Sequence, residues 1–138
     1  MRFLLDTNVV SELRKGGRAD VGARRWFETV SGDDLALSVL VLGEVRLGIL
    51  RLRRRDAAAA DHLAAWLPRL ERAYGGRTLP VDAPVVEAWA DLNLRRSLPV
   101  IDSLQAATAR VHGLTFVTRN VADLEGVDVP LLNPFSEA

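Results

Sequence analysis

Four acidic residues that lie far apart in the sequence occupy positions that a folded chain could gather into one site. Asp6 follows a first short apolar run, Glu44 lies near the start of a long helical segment, and Asp102 begins another helix. Asn120 and Asp123 follow the last internal strand. Because ligands of open parallel sheets bind at the carboxyl ends of the strands, we expect these side chains to meet at one edge of the sheet.

Clustered carboxylates favour one kind of chemistry. Like charges close together raise one another's pKa values, and a divalent cation relieves that repulsion. The chain has no cysteine and only two histidines, so oxygen ligands must dominate any metal site, which points to Mg²⁺ or Mn²⁺. A cation held in this way lowers the pKa of a bound water and stabilises a departing oxygen, which suits phosphodiester hydrolysis.

Glu44 is the acid that is hardest to explain as a surface residue. On a helical wheel it is flanked by apolar residues, with Leu40 and Leu47 on one side and Val41 and Val45 on the other. A carboxylate in an apolar sector is costly unless it is paired, protonated or bound to metal. We therefore interpret Glu44 as a functional residue.

The other acids each have a structural alternative. Asp6 and Asp102 could be helix N-caps, whose carboxylates accept hydrogen bonds from free backbone N–H groups. Asp123 could be a solvated carboxylate in a turn. Taken singly, none of the three requires a site, and the functional interpretation rests on their combination.

The elements that must position these acids alternate between short strands and helices. Strands are predicted over residues 3–5, 35–37, 79–81, 114–117 and 127–132. Helices are predicted over residues 9–15, 21–30, 39–54, 57–74, 82–97 and 102–112. We expect Trp26, Phe27 and Val30 on the inner face of the second helix, and a kink or break at Pro68. This alternation is typical of a three-layer α/β/α sandwich with a central, mainly parallel sheet, here one domain over residues 1–138.

Composition and charge exclude several classes of protein. Hydrophobic residues make up 49% of the chain, which argues against a disordered protein. Eighteen basic side chains balance eighteen acidic ones, so the net charge does not indicate a nucleic-acid-binding protein. Asp6 interrupts any signal-peptide core, and no apolar run approaches the roughly 20 residues that span a bilayer. We therefore expect a cytoplasmic protein that has no membrane association.

One arginine-rich segment could contact a partner. Residues 45–55 contain five arginines and no acid. Arg51, Arg53, Arg54 and Arg55 could bind an RNA backbone or another protein. They could also form the solvated end of a helix, where cations complement the helix dipole, and we favour this second interpretation.

Four segments together resemble the motifs of the PIN-domain family, and in particular its VapC-type toxins. They are residues 4–13 (LLDTNVVSEL), 37–48 (LSVLVLGEVRLG), 99–109 (PVIDSLQAATA) and 114–123 (LTFVTRNVAD), the last followed by 132–135 (LNPF). The resemblance covers nearly the whole chain in the right order and spacing. It implies a PIN-like fold and a magnesium-dependent endoribonuclease, the toxin half of a type II toxin–antitoxin pair.

The resemblance also implies which residues form the site. Asp6, Glu44 and Asp102 match the first three acids that line the metal site of the family. Asn120 stands where many members carry the fourth acid, so either Asn120 or Asp123 completes the site, and the number of ions stays open. Asn8 would orient Asp6, and the Thr118 hydroxyl would support the same group of side chains.

The partners implied are an RNA substrate, a second copy of the chain in a homodimer, and a VapB-type antitoxin that places an arginine among the acids. The alternative is a catalytically silent PIN-like binding partner. Two other classes fail on named residues. A haloacid-dehalogenase phosphatase needs an acid at position 8, which is Asn8, and a receiver domain needs a lysine late in the chain, whereas Lys15 is the only lysine.

Overall fold

The centre of the molecule is a five-stranded sheet, seen in a computed structural model that describes residues 1–136. The strands are β1 (Phe3–Leu5), β2 (Leu35–Ser38), β3 (Thr78–Leu79), β4 (Thr115–Val117) and β5 (Leu131–Leu132). Their order across the sheet is β3-β2-β1-β4-β5, and every neighbouring pair runs parallel. The predicted parallel sheet is therefore confirmed, with the third strand at an edge.

Six helices connect and cover the strands. They are α1 (Thr7–Leu13), α2 (Val21–Glu28), α3 (Val39–Arg53), α4 (Ala57–Tyr74), α5 (Ala83–Leu92) and α6 (Val100–His112). The Ser38 hydroxyl caps α3 by accepting a hydrogen bond from the Leu40 backbone N–H at 3.0 Å. α4 continues through Pro68 without a break. None of the helices within residues 1–136 is long and apolar enough to cross a membrane.

The alternation of side chains along the short strands divides the core into two halves. Leu5 faces the half that contains Val41 of α3 and residues of α1, α2 and α4. Leu4 points to the opposite face of the sheet, where it packs with Phe116 and with Ala106 of α6. Helices therefore cover both faces of the sheet, which confirms the three-layer sandwich.

β1 marks the point where the order of the strands reverses. From β1 the chain moves to β2 and β3 on one side, and then returns to β4 and β5 on the other side. In such sheets a crevice opens at the carboxyl ends of the two strands that flank the reversal. Here those strands are β1 and β4, which end at Leu5 and Val117.

Several details differ from the sequence-based prediction, and two of them have a direct physical reason. α5 ends at Leu92 instead of Ser97, because the Asn93 amide donates to the Trp89 carbonyl and its Oδ1 accepts from the Leu98 N–H. Phe27 is 41% exposed, so its predicted inward position is wrong. One residue before it, Trp26 packs edge-on against the ring of Phe3 at 5.2 Å, and the next residue of a helix points about 100° away.

The C-terminal segment packs against the start of α2. The Asp20 carboxylate accepts hydrogen bonds from the Ser136 hydroxyl at 2.5 Å and from the Ser136 N–H at 2.9 Å. These bonds, the hydroxyl first, together with a bond from the Ala23 N–H, lower the pKa of Asp20 to about 2. A Cβ at Gly22 would lie 2.6 Å from the Ser136 nitrogen and 2.8 Å from the Pro134 oxygen, so this contact requires a glycine.

We expect Gly22→Ala to lower the free energy of unfolding by roughly 1–3 kcal/mol, because the added methyl group collides with backbone atoms. The clash outweighs the higher helix propensity of alanine, which is worth about 1 kcal/mol at most. Urea unfolding followed by circular dichroism measures the change.

Gly43→Ala in α3 is the matched control, since a Cβ there meets nothing within 4 Å. It should leave stability unchanged or raise it. Equal stability of the two variants would show that the C-terminal segment does not pack on α2 in solution.

Candidate functional site

Asp6 lies at the crevice between β1 and β4. It follows β1 directly, its backbone N–H donates to the Val117 carbonyl at 2.9 Å, and it is only 3% exposed. It is also the N-cap of α1, because its Oδ1 accepts from the Thr7 N–H. The structural and functional interpretations of Asp6 are therefore compatible, since one carboxylate both starts a helix and faces the crevice.

Four hydrogen bonds hold the Asp6 carboxylate in one orientation. Oδ1 accepts from the Thr7 N–H at 2.7 Å and from Gln105 Nε2 at 3.0 Å. Oδ2 accepts from the Thr118 hydroxyl at 2.7 Å and from Asn8 Nδ2 at 3.2 Å. A carboxylate has about four lone-pair positions, so these donors leave it little freedom to rotate.

Glu44 is held beside Asp6 by the same segment. Its Oε1 accepts a hydrogen bond from the Thr7 hydroxyl at 2.5 Å. Burial raises the pKa of Glu44, the Thr7 bond opposes that rise, and the negative charge of Asp6 adds to it. The flanking residues are unequal: Val41 is fully buried, whereas Leu47 is 44% exposed. Glu44 thus lies at the margin of the apolar sector instead of within it.

Asp102 lies in the first turn of α6 but does not cap it. The N-cap residue is Pro99, which makes no side-chain cap hydrogen bond, so the interpretation of Asp102 as an N-cap is wrong. The helix begins two residues earlier than predicted, at Val100. The carboxylate of Asp102 is therefore not engaged by the backbone of its own helix end.

The electrostatics of Asp102 show that the acids share one region. Partial burial is the largest of the effects that raise its pKa to about 6, and the charge of Asp6 is the next. A hydrogen bond from Asn120 opposes the rise, while the charges of Glu44 and Asp123 add smaller increases. Three acids far from Asp102 in the sequence thus lie close enough to act on it, as the strand-end argument predicts.

Asn120 and Asp123 occupy different positions. Asn120 Nδ2 donates to Asp102 Oδ2 at 3.3 Å, and its backbone N–H donates to the Thr118 hydroxyl at 3.0 Å. Asp123 is exposed and lies on the short turn Val121–Leu124. The structure therefore brings Asn120 into direct contact with the acids and leaves Asp123 at their periphery.

Gln105 and Thr7 contact the acids but were not identified from the sequence. Gln105 is the only glutamine of the chain and directly precedes a run of small residues, 106–109, on a helix. A single amide on the buried face of a helix is a signal that could have identified it, since buried polar groups need partners. Thr7 follows Asp6 directly, and only the tertiary structure shows that its hydroxyl reaches Glu44.

The arginine-rich end of α3 lies away from the acids. Nine residues separate Arg53 from Glu44 along the helix, which corresponds to about 14 Å of axial rise. Arg53 pairs with Asp61 of α4 at 2.7 Å, and Arg51 and Arg54 line a shallow cavity on the exposed side of α3. This placement is consistent with a solvated helix end.

The donor set suits a hydrated divalent cation. The available groups are the carboxylates of Asp6, Glu44 and Asp102 and the amide of Asn120, which are hard oxygen donors of the kind that Mg²⁺ prefers. Within residues 1–136, no three histidine or acidic side chains lie close enough together to hold a metal ion by direct protein ligands alone. Mg²⁺ commonly keeps several waters. Burial is the main cause of the raised Asp102 pKa, and the repulsion from Asp6 that adds to it is what such a cation relieves.

Comparisons with known proteins agree with this fold. Residues 3–128 match the PIN domain family. Toxin FitB of Neisseria gonorrhoeae is 33% identical over 98% of this chain and 99% of its own length. Ribonuclease VapC4 of Mycobacterium tuberculosis is 37% identical over 65% of this chain and 69% of its own length. The crystal structure of FitAcB from N. gonorrhoeae superposes with a TM-score of 0.85 at 30% identity, covering 96% of this chain and 97% of that one.

The raised pKa of Asp102 predicts a pH-dependent cost in stability. The pKa rises from 3.8 to about 6 on folding, so between these values the folded state keeps a proton that the unfolded state has lost. The free energy of unfolding therefore falls as pH rises through this window. Asp102→Asn should remove that cost and stabilise the metal-free protein by about 1–2 kcal/mol at pH 7.5, a value reduced for partial solvent screening.

Urea unfolding in chelator at pH 4 and pH 7.5 measures this effect. The gain from Asp102→Asn should be present at pH 7.5 and small at pH 4. Asp33→Asn, an exposed acid just before β2 at the opposite end of the sheet, is the control and should have no effect at either pH. If Asp102→Asn were less stable than the wild type at pH 7.5, the ionised Asp102 carboxylate would not be destabilising, and the prediction would be wrong.

Proposed function

The chain belongs to the PIN domain family, and on that premise we propose that it is a magnesium-dependent endoribonuclease and the toxin of a type II toxin–antitoxin pair. The observation that carries the proposal is the convergence of Asp6, Glu44 and Asp102 at the reversal point of a parallel sheet. The three carboxylates are close enough that the charges of Asp6 and Glu44 raise the pKa of Asp102, and the charge of Asp6 raises that of Glu44. The names of its relatives, a toxin and a ribonuclease, support the same activity.

Three carboxylates of the chain would hold Mg²⁺, directly or through water, and Mn²⁺ could replace it. When bound, the cation supplies a water of lowered pKa and stabilises the negative charge on the departing oxygen. Asp6 contributes a fixed carboxylate, because four donors hold it. Glu44 and Asp102, which carry the raised pKa values, complete the negative site from α3 and α6.

Asn120 places a neutral amide at the position where the resemblance implies a fourth acid. Its amide donates to Asp102, where an acid would repel it. In the proposed mechanism Asn120, or Asp123 on the neighbouring turn, orients the scissile phosphate or a second ion. Asn8 and Thr118 keep Asp6 in place while the substrate binds.

The negative site also accounts for inhibition by a VapB-type antitoxin. A guanidinium that enters the cluster satisfies the carboxylates bidentately and replaces the cation. A homodimer is the second proposed assembly, and exposed Leu47 and Leu50 on α3 provide apolar surface that a partner could cover. Which RNA is cleaved depends on the shape of the groove and on the arginines around it.

Cleavage of total cellular RNA by antitoxin-free protein tests the activity. With Mg²⁺ or Mn²⁺ we expect discrete fragments, and with chelator intact RNA. Asp102→Asn should lower the cleavage rate by about a hundredfold or more, equivalent to roughly 2.7 kcal/mol of barrier, while the protein stays folded. Asp33→Asn, the same chemical change at the far end of the sheet, should cleave like the wild type.

Two outcomes would count against the proposal. Cleavage by Asp102→Asn at the wild-type rate would contradict the assigned site. Intact RNA under every condition, with folded protein and no thermal stabilisation by millimolar Mn²⁺, would favour the catalytically silent binding partner.

A further inference from the structure

Gln105 is a fully buried polar residue whose role in the acidic site has not been assigned above. It lies on α6 with no exposed surface, and its Nε2 donates to Asp6 Oδ1 at 3.0 Å. The amide orientation follows from this contact, because the reversed amide would place two acceptor oxygens against each other. Its neighbours Ala106 and Ala109 belong to the apolar core.

The other end of the same amide shows that packing is not its purpose. Gln105 Oε1 is buried and has no hydrogen-bond partner among residues 1–136. An unpaired buried acceptor destabilises a fold, so an apolar side chain of similar size would serve packing better. The chain therefore retains a polar group whose benefit lies in the bond to Asp6.

We propose that Gln105 is a positioning residue that sets the geometry between Asp6 and Asp102, an inference that rests on the proposed function. Gln105 follows Asp102 by three residues on α6, so the two side chains lie on one side of the helix. Fastening Gln105 to Asp6 fastens the helix that carries Asp102 to the end of β1. The separation of the two carboxylates therefore depends in part on this bond.

The sources of the four donors to Asp6 support this role. Thr7 and Asn8 belong to α1, and Thr118 follows β4 directly. Of the four donors described, Gln105 alone comes from α6, which covers the other face of the sheet from α1. The bonds from Thr7 and Asn8 orient Asp6 relative to its own strand and helix. Thr118 is linked to Asp102 only indirectly, through Asn120, whereas Gln105 joins Asp6 directly to the helix that carries Asp102.

Gln105→Met tests the proposal, because methionine has a similar length and no amide. We expect its unfolding midpoint in chelator to match the wild type, since the lost bond is offset by removal of the unpaired Oε1. Calorimetric titration with Mn²⁺ should show an affinity about tenfold to a hundredfold weaker. In RNA cleavage, half-maximal rate should require correspondingly more Mn²⁺, with KM for RNA unchanged.

Thr108→Val is the matched control. Thr108 is buried one turn further along α6, and its hydroxyl donates to the Leu104 carbonyl of the same helix instead of to Asp6. Removal of the Thr108 hydroxyl should leave the affinity for Mn²⁺ unchanged. Gln105→Leu supplies a second apolar shape for comparison with Gln105→Met.

The outcomes separate this role from the proposed function. Mn²⁺ binding by the wild type with equal affinity in Gln105→Met would overturn the role of Gln105 alone. Loss of folded structure in both Gln105 variants would show that the residue serves the fold, which also overturns it. Absence of Mn²⁺ binding by the wild type would remove the proposed function and this inference together.

Discussion

A buried carboxylate at the centre of a parallel sheet needs hydrogen-bond donors on every side, and Asp6 organises this structure around that need. Its donors come from α1, α6 and the residue after β4, so the elements on both faces of the sheet converge on one side chain. The central position of β1 makes this convergence possible. The site therefore depends on the core being correctly assembled, and the fold positions the site through hydrogen bonds to a single charge.

The neighbouring acids show the cost of this arrangement. Burial raises the pKa values of Glu44 and Asp102, and both lie close enough to Asp6 for its charge to raise them further. A protein under selection for stability alone would separate such charges or replace them. Their retention at a crevice, together with an amide at Asn120 where a fourth acid would increase the repulsion, indicates a site built to receive positive charge.

Buried and half-buried polar side chains orient the acids of the site through hydrogen bonds. Thr7 supports Glu44, while Thr118 and Gln105 support Asp6, and each of these bonds joins different elements of the fold. Which carboxylate each of these residues contacts is not evident from the sequence, since threonine and glutamine side chains occur in many environments. Their contribution comes from fixing the direction of a neighbouring carboxylate, a property of distance and angle that composition does not carry.

The sequence by itself determined the alternation of strands and helices and the acids that meet at the sheet edge, because apolar periodicity and the residue types at the ends of the strands are local properties. Tertiary structure decided the rest. Asp102 sits in the first turn of α6 instead of capping it, since the helix starts at Val100. Asn120 reaches Asp102 while Asp123 stays at the periphery, and Gln105 bonds to Asp6 across 99 residues of chain. Such contacts depend on how two elements dock, and docking is set by the packing of the whole core, which no local pattern encodes.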